Sequence, residues 1–123
     1  MPGQVISSGQ LILVEGELDA IKVYSSGFKN VAAMGFGNIS KRQQELVIES
    51  SADPILLFFD DDDTGRRITR EALKALWDKK RVLKVDYFKY RKIYAEKLDP
   101  GCLSVEYIRE IVKAAHCADW PLF

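Results

Sequence analysis

The sequence predicts an α/β fold with a mainly parallel sheet, and three observations carry that prediction. Strand and helix signals alternate along the chain. The two strongest strand signals are continuous apolar runs, the pattern of strands buried on both faces. Both runs break off in acidic residues, and the carboxyl ends of strands are where open α/β sheets place their ligands.

The first strand is Leu11-Ile12-Leu13-Val14. Glu17 to Ser26 then spaces Leu18, Ile21 and Val23 with Ala20 and Tyr24 as a helix, and Gly27 ends it. Val31 to Met34 reads as a second strand, followed by the loop Gly35-Phe36-Gly37-Asn38. Ser40 is a good N-cap and Gln43 can complete a capping box, so a helix is expected to about Ser50 with Leu46, Val47 and Ile48 inward. Pro54-Ile55-Leu56-Leu57-Phe58-Phe59 is the strongest buried strand and runs straight into Asp60-Asp61-Asp62-Asp63-Thr64-Gly65. A helix over Arg66 to Lys79 follows, with Ile68, Ala72, Leu73, Ala75 and Leu76 on its apolar side. Val82 to Phe88 alternates enough for a fourth strand. Leu98-Asp99-Pro100-Gly101 is a loop, and Ser104 caps a last helix to about Ala115. If the acidic ends of the first and third strands converge, those strands are neighbours. The predicted order is then 2-1-3-4, with helices on both faces.

The 123 residues fit one domain, and 47% apolar content fits a globular core. We divide the chain into an N-terminal extension (1–10), the domain (11–116) and a C-terminal tail (117–123). No stretch reaches the roughly 20 apolar residues of a membrane span. Met1 to Gln10 lacks a basic start with an apolar block. A cytoplasmic protein without membrane contact is expected. Cys102 and Cys117 cannot alone make a four-ligand zinc site and are expected to be free thiols.

Formal charge is zero, with 18 basic and 18 acidic side chains, which argues against indiscriminate coating of DNA. Residues 81–97 nevertheless mix Arg81, Lys84, Lys89, Arg91, Lys92 and Lys97 with Tyr87, Phe88, Tyr90 and Tyr94. Such a mixture can contact single strands, or it can be an ordinary solvated strand and turn.

Four consecutive aspartates after a buried strand are costly. Two carboxylates about 5 Å apart repel by about 3 kcal/mol at an effective dielectric of 20. Either they splay into water or a cation holds them. Side chains two apart leave a strand in the same direction, so Asp60 and Asp62 can aim at one spot while Asp61 points elsewhere. Carboxylate oxygens suit Mg²⁺. A capping turn would need one aspartate, with Asp63 the natural choice, but not four. Glu15-Gly16-Glu17 is a second acidic strand exit, with Asp19 four residues after Glu15; Glu17 and Asp19 could also be plain first-turn acids.

These two exits together resemble the Toprim domain of primases, topoisomerases, OLD-family nucleases and RecR proteins. Val14-Glu15-Gly16-Glu17-Leu18-Asp19-Ala20 matches its glutamate motif, and Phe59-Asp60-Asp61-Asp62-Asp63-Thr64-Gly65 its Asp-x-Asp-x-x-Gly motif. Either motif alone is weak; both in order at strand ends are strong. Ser40-Lys41-Arg42-Gln43, Gly65-Arg66-Arg67 and Leu98-Asp99-Pro100-Gly101 are most similar to DnaG-type bacterial and phage primases. The resemblance implies a Rossmann-like Toprim fold and Mg²⁺- or Mn²⁺-dependent nucleotidyl transfer on two ions, without zinc. Glu15 would be the catalytic acid/base and a metal ligand. Asp60 and Asp62 would bind metal, with Asp19 and Asp99 as further members. Lys41, Arg42, Arg66 and Arg67 would contact phosphates or the strand, and Gly16, Gly35 and Gly65 would keep backbone close to the site.

The implied partners are single-stranded DNA template, ribonucleotides, and a replicative helicase or further primase domains. The zinc-binding segment and basic N-terminal subdomain of such primases have no counterpart in these residues. A catalytic fragment or a stand-alone Toprim protein is expected. The alternatives are a metal-dependent nuclease and a non-catalytic module binding nucleic acid or a partner. No tyrosine sits in a topoisomerase-like constellation, and His116, placed near the end of the last helix, is read as structural.

Overall fold

The computed structural model describes residues 6, 8–35, 37–94 and 97–117. Most of the N-terminal extension, and the tail from residue 118 with Trp120, lie outside the described residues. The strands are β1 (Gly9–Val14), β2 (Val31–Ala33), β3 (Ala52–Leu57), β4 (Val82–Lys84) and β5 (His116–Cys117). The helices are α1 (Glu17–Ser25), α2 (Lys41–Glu49), α3 (Asp63–Leu76), α4 (Phe88–Arg91) and α5 (Val105–Lys113).

The sheet order is β2-β1-β3-β4-β5. The first four strands are parallel in the predicted order 2-1-3-4, with Leu13 opposite Ala32 on one side and Leu57 on the other. Because side chains alternate along a strand, β1 and β3 feed two cores. Leu11, Leu13, Ile55 and Leu57 pack with Val47, Ile68 and Leu76, beneath α2 and α3. Ile12, Val14, Leu56 and Phe58 pack with Val23, Ile108 and Ile111, beneath α1 and α5. A side chain buried this fully contributes about 1.5–3 kcal/mol. The central strands are therefore the rigid part of the molecule, and both acidic exits grow directly from them.

Local chemistry sets the helix starts. The Ser40 hydroxyl accepts from the Gln43 N–H at 3.1 Å while Gln43 Oε1 accepts from the Ser40 N–H at 2.9 Å, the expected capping box. Ser104 accepts from the Tyr107 N–H at 3.1 Å.

Three expectations are corrected. β4 ends at Lys84, not Phe88. The Asp86 carboxylate accepts from the Phe88 N–H at 2.9 Å and starts the unpredicted short helix α4. The final helix stops at Lys113, so His116 is not helical. It lies in β5, antiparallel to β4 and opposite Lys84. Third, α3 begins at Asp63 rather than Arg66, because Asp62 supplies its cap.

Candidate metal centre

β1 and β3 deliver Glu15 and Asp60 side by side. The Asp60 N–H donates to Glu15 Oε2 at 2.7 Å, which ties the two acidic exits together. Asp62 turns back over the start of α3, and its Oδ1 accepts from the Gly65 N–H at 2.6 Å. Asp62, not Asp63, is the cap, and Asp63 is fully exposed beside Arg66. The parity argument holds for Asp61. It points away, to Arg91 at 2.7 Å and Arg66 at 3.2 Å.

Asp19, one turn into α1, accepts from the Gly101 N–H at 3.0 Å. Asp99 caps the turn Pro100–Cys102 through the Cys102 N–H at 2.9 Å. A Cβ on Gly101 would lie 3.1 Å from Asp19 Oδ1 and 3.2 Å from Asp99 Oδ1, so these two carboxylates flank one point.

Gly65 has a steric cause: a Cβ there would lie 1.9 Å from the Asp60 carbonyl oxygen. Gly35 has a φ of +88°, which favours glycine. Gly16 is extended, and a Cβ on it would meet only Asp19, at 3.6 Å. Arg66 bonds Asp61 and Asp63, and Arg67 bonds Asn38 and Glu71. Arg42 approaches Glu45 at 3.7 Å, and Lys41 is an exposed first residue of α2. Among the described residues, no ion pair joins Lys41 or Arg42 to the acidic cluster.

Sequence reasoning did not place Lys97 in the cluster. Its ammonium lies 2.9 Å from Asp62 Oδ2 and 3.2 Å from Asp60 Oδ2. It is one of several basic residues between Arg81 and Lys97, and no local pattern marks it out. Tyr87 and Tyr90 leave the expected strand-contacting surface. The buried Tyr87 hydroxyl donates to the Phe59 carbonyl at 2.7 Å, and Tyr90 bonds Glu110.

Burial, then the neighbouring Asp60 carboxylate, pushes Glu15 from its ordinary 4.5 up to about 7. Burial, then the charges of Asp60 and Asp99, lifts Asp19 from 3.8 to about 6. Asp61 is held below the usual range, chiefly by its bond to Arg91. Burial pulls Asp62 upward, but the Gly65 N–H and Lys97 outweigh it and leave it lowered. Neutral-range acids beside ionised ones are an arrangement suited to proton transfer.

The donors fit a hard divalent cation. They are all carboxylate oxygens. Asp60 Oδ1 is buried without any hydrogen-bond partner, an acceptor that a cation would satisfy. Among the described residues no three His, Cys, Asp or Glu side chains already close on one point; Lys97 stands among them as the positive charge.

A family model described as Toprim-like matches residues 12–100. The fold is similar to that of the Aquifex aeolicus primase (zinc-binding and RNA polymerase domains), at a TM-score of 0.67 and 24% identity, over 89% of this chain and 27% of that one. It is similar to a DnaG primase catalytic domain bound to single-stranded DNA, at 0.65 and 17%, over 90% and 35%. A small TOPRIM domain protein from Bacillus stearothermophilus matches at 0.58 and 19%, over 94% of this chain and 92% of that one. At these identities the likeness shows the fold. The chain spans roughly a third of the primase chains and nearly all of the small protein. No curated protein matches it. Among the described residues no helix is long and apolar enough to cross a membrane.

Proposed function

The chain belongs to the Toprim-like family, and from that premise we propose that it is the Mg²⁺- or Mn²⁺-dependent nucleotidyl-transfer domain of a DnaG-type primase, extending RNA primers on single-stranded DNA. The observation that carries this reading is the Glu15–Asp60 pairing, with Asp62 beside it and one buried Asp60 oxygen left without a partner. Asp60 and Asp62 would hold the ion or ions, with Glu15, Asp19 and Asp99 bordering them. A bound divalent ion would neutralise the charge that develops on the attacking and leaving oxygens.

The chain's own residues supply the rest. Glu15, held near neutrality by burial, is suited to take a proton from a 3′-hydroxyl. Tyr87 bonds the Phe59 carbonyl and Gly65 packs closely on the Asp60 carbonyl, so the carboxylates leave well-held chain. Arg66 and Arg67, at the head of α3, would meet phosphate oxygens by exchanging their present partners Asp61, Asp63, Asn38 and Glu71.

A second reading is a Toprim nuclease; the small TOPRIM domain protein shows that the fold occurs at this size. Incubation with single-stranded template, ribonucleotides and Mn²⁺ separates the two, since primase chemistry yields dinucleotides and a nuclease shortens the strand. Calorimetric titration with Mg²⁺ and Mn²⁺ tests the metal centre itself. No binding at millimolar concentrations would leave only a non-catalytic module.

A further inference from the structure

On the α3 side of the sheet, beyond Asp61, lies a groove of about 510 Å³, within the size range of small-molecule sites. Its floor is Leu57 and Phe59, the last inward residues at the carboxyl end of the β3 run. Arg66 and Arg70, one turn apart on α3, line it, as do Lys84 and His116 from the sheet edge. Lys84 and His116 are register partners across β4 and β5, so their side chains leave the sheet on the same face.

The charges in this groove are unevenly satisfied. Each of its three carboxylates has a partner on at least one oxygen, although Asp60 Oδ1 has none and Asp86 meets only a neutral N–H. Asp61 bonds Arg66 and Arg91, Asp86 accepts from the Phe88 N–H, and Asp60 pairs with Lys97. Arg70 and Lys84 have no ion pair or side-chain hydrogen bond among the described residues. Two cations without an ion pair, Arg70 and Lys84, therefore line one concavity with an apolar floor, against one unpaired carboxylate, Asp86. An anion in the groove could pair with both, and an apolar group could cover the floor.

We propose that this groove binds a phosphate-bearing ligand, with phosphate between Arg70 and Lys84 and His116 at the rim. Asp60 lines the groove and belongs to the metal centre, so a phosphate chain lying in it would lead to that centre. The phosphates could be those of a free nucleotide or the backbone of a strand. The binding itself needs no metal and stands apart from the catalytic reading.

The test is fluorescence anisotropy of the full chain in excess EDTA, with two probes: a labelled oligothymidylate and a fluorescent ATP analogue. The double variant Arg70→Gln/Lys84→Gln is expected to weaken at least one probe about tenfold, as loss of two charge-assisted contacts implies. If the ligand is the strand, its salt slope should fall by about 1.4, at about 0.7 per phosphate contact. Loss for the nucleotide alone would assign the groove to free nucleotide. Lys113→Gln, at the end of α5 on the opposite face, should change neither probe. Glu15→Gln should retain binding in EDTA, which separates the groove from the metal centre. Unchanged affinity and salt slope in a folded double variant, or no binding of either probe by the wild type, overturns the proposal.

Discussion

The Asp60 backbone N–H donates to the Glu15 carboxylate at 2.7 Å across 45 residues of sequence. That bond needs an acceptor, not a charge, and glutamine supplies one. Glu15→Gln is therefore expected to keep the fold. Its metal-free melting temperature should equal or exceed that of the parent, because the variant removes an acid whose ionisation burial opposes. Metal-dependent turnover should be lost. Calorimetric melting and a primer-synthesis assay check both halves. A fall of more than about 5 °C, roughly 1 kcal/mol for a domain of this size, would mark the carboxylate as structural instead.

The same burial makes metal-free stability depend on pH with a definite sign. Glu15 and Asp19 titrate at about 7 and about 6 in the fold, against ordinary values of 4.5 and 3.8. Between those limits the native state binds more protons than the unfolded chain, so stability falls as pH rises from about 4 to about 7. Asp61 and Asp62 are lowered. They contribute stability above the ordinary carboxylate range and lose it below about pH 4. In EDTA the urea midpoint should therefore decline from about pH 4.5 to about pH 7.5. Saturating Mg²⁺, which favours ionised carboxylates, should flatten that decline. A midpoint that rises across the same range in EDTA would contradict the burial of Glu15.

Gly65 and Gly16 should respond oppositely to alanine. A Cβ at Gly65 would meet the Asp60 carbonyl oxygen at 1.9 Å, and backbone cannot yield as a flexible side chain can. Gly65→Ala should cost about 3 kcal/mol or more and loosen the Asp62 cap with it. At Gly16 a Cβ meets Asp19 at 3.6 Å, an ordinary contact, and φ is −113°. Gly16→Ala, at the N-cap of α1, should cost no more than about 1 kcal/mol. Urea denaturation of both variants decides the pair.

The parts of this molecule legible in sequence are those that local pattern controls. The continuous runs of β1 and β3 announced buried strands, Ser40 and Gln43 announced a cap, and two-residue parity separated Asp60 and Asp62 from Asp61. What stayed hidden depends on distant partners. Tyr87 leaves the expected strand to reach the Phe59 carbonyl, 28 residues away. His116 pairs with Lys84 in a strand of two residues, too short for any period to show. Asp62 rather than Asp63 caps α3, and Gly65 packs against Asp60, contacts that spacing alone does not reveal.

Lys97 is the largest of these omissions and yields the sharpest prediction. Its ammonium bridges Asp60 and Asp62 at 3.2 and 2.9 Å, where the two carboxylates would otherwise repel. Its side chain is 53% exposed, so the ion pair is screened and easily left. A divalent ion bound by the same oxygens must displace it. Lys97→Met keeps the length of the side chain and removes the charge. The variant should melt lower than the parent in EDTA, because Asp60 and Asp62 lose their cation. It should bind Mn²⁺ about tenfold more tightly, because no resident charge competes. With saturating Mn²⁺ the two melting temperatures should converge. Arg91→Met removes a cation that bonds Asp61 alone and should leave Mn²⁺ affinity within about twofold. Calorimetric titration of both variants checks the pair. Equal or weaker binding by Lys97→Met would show that the ion and the ammonium do not share these oxygens. The lysine would then be a permanent strut of the loop before Asp99 rather than a charge that gives way.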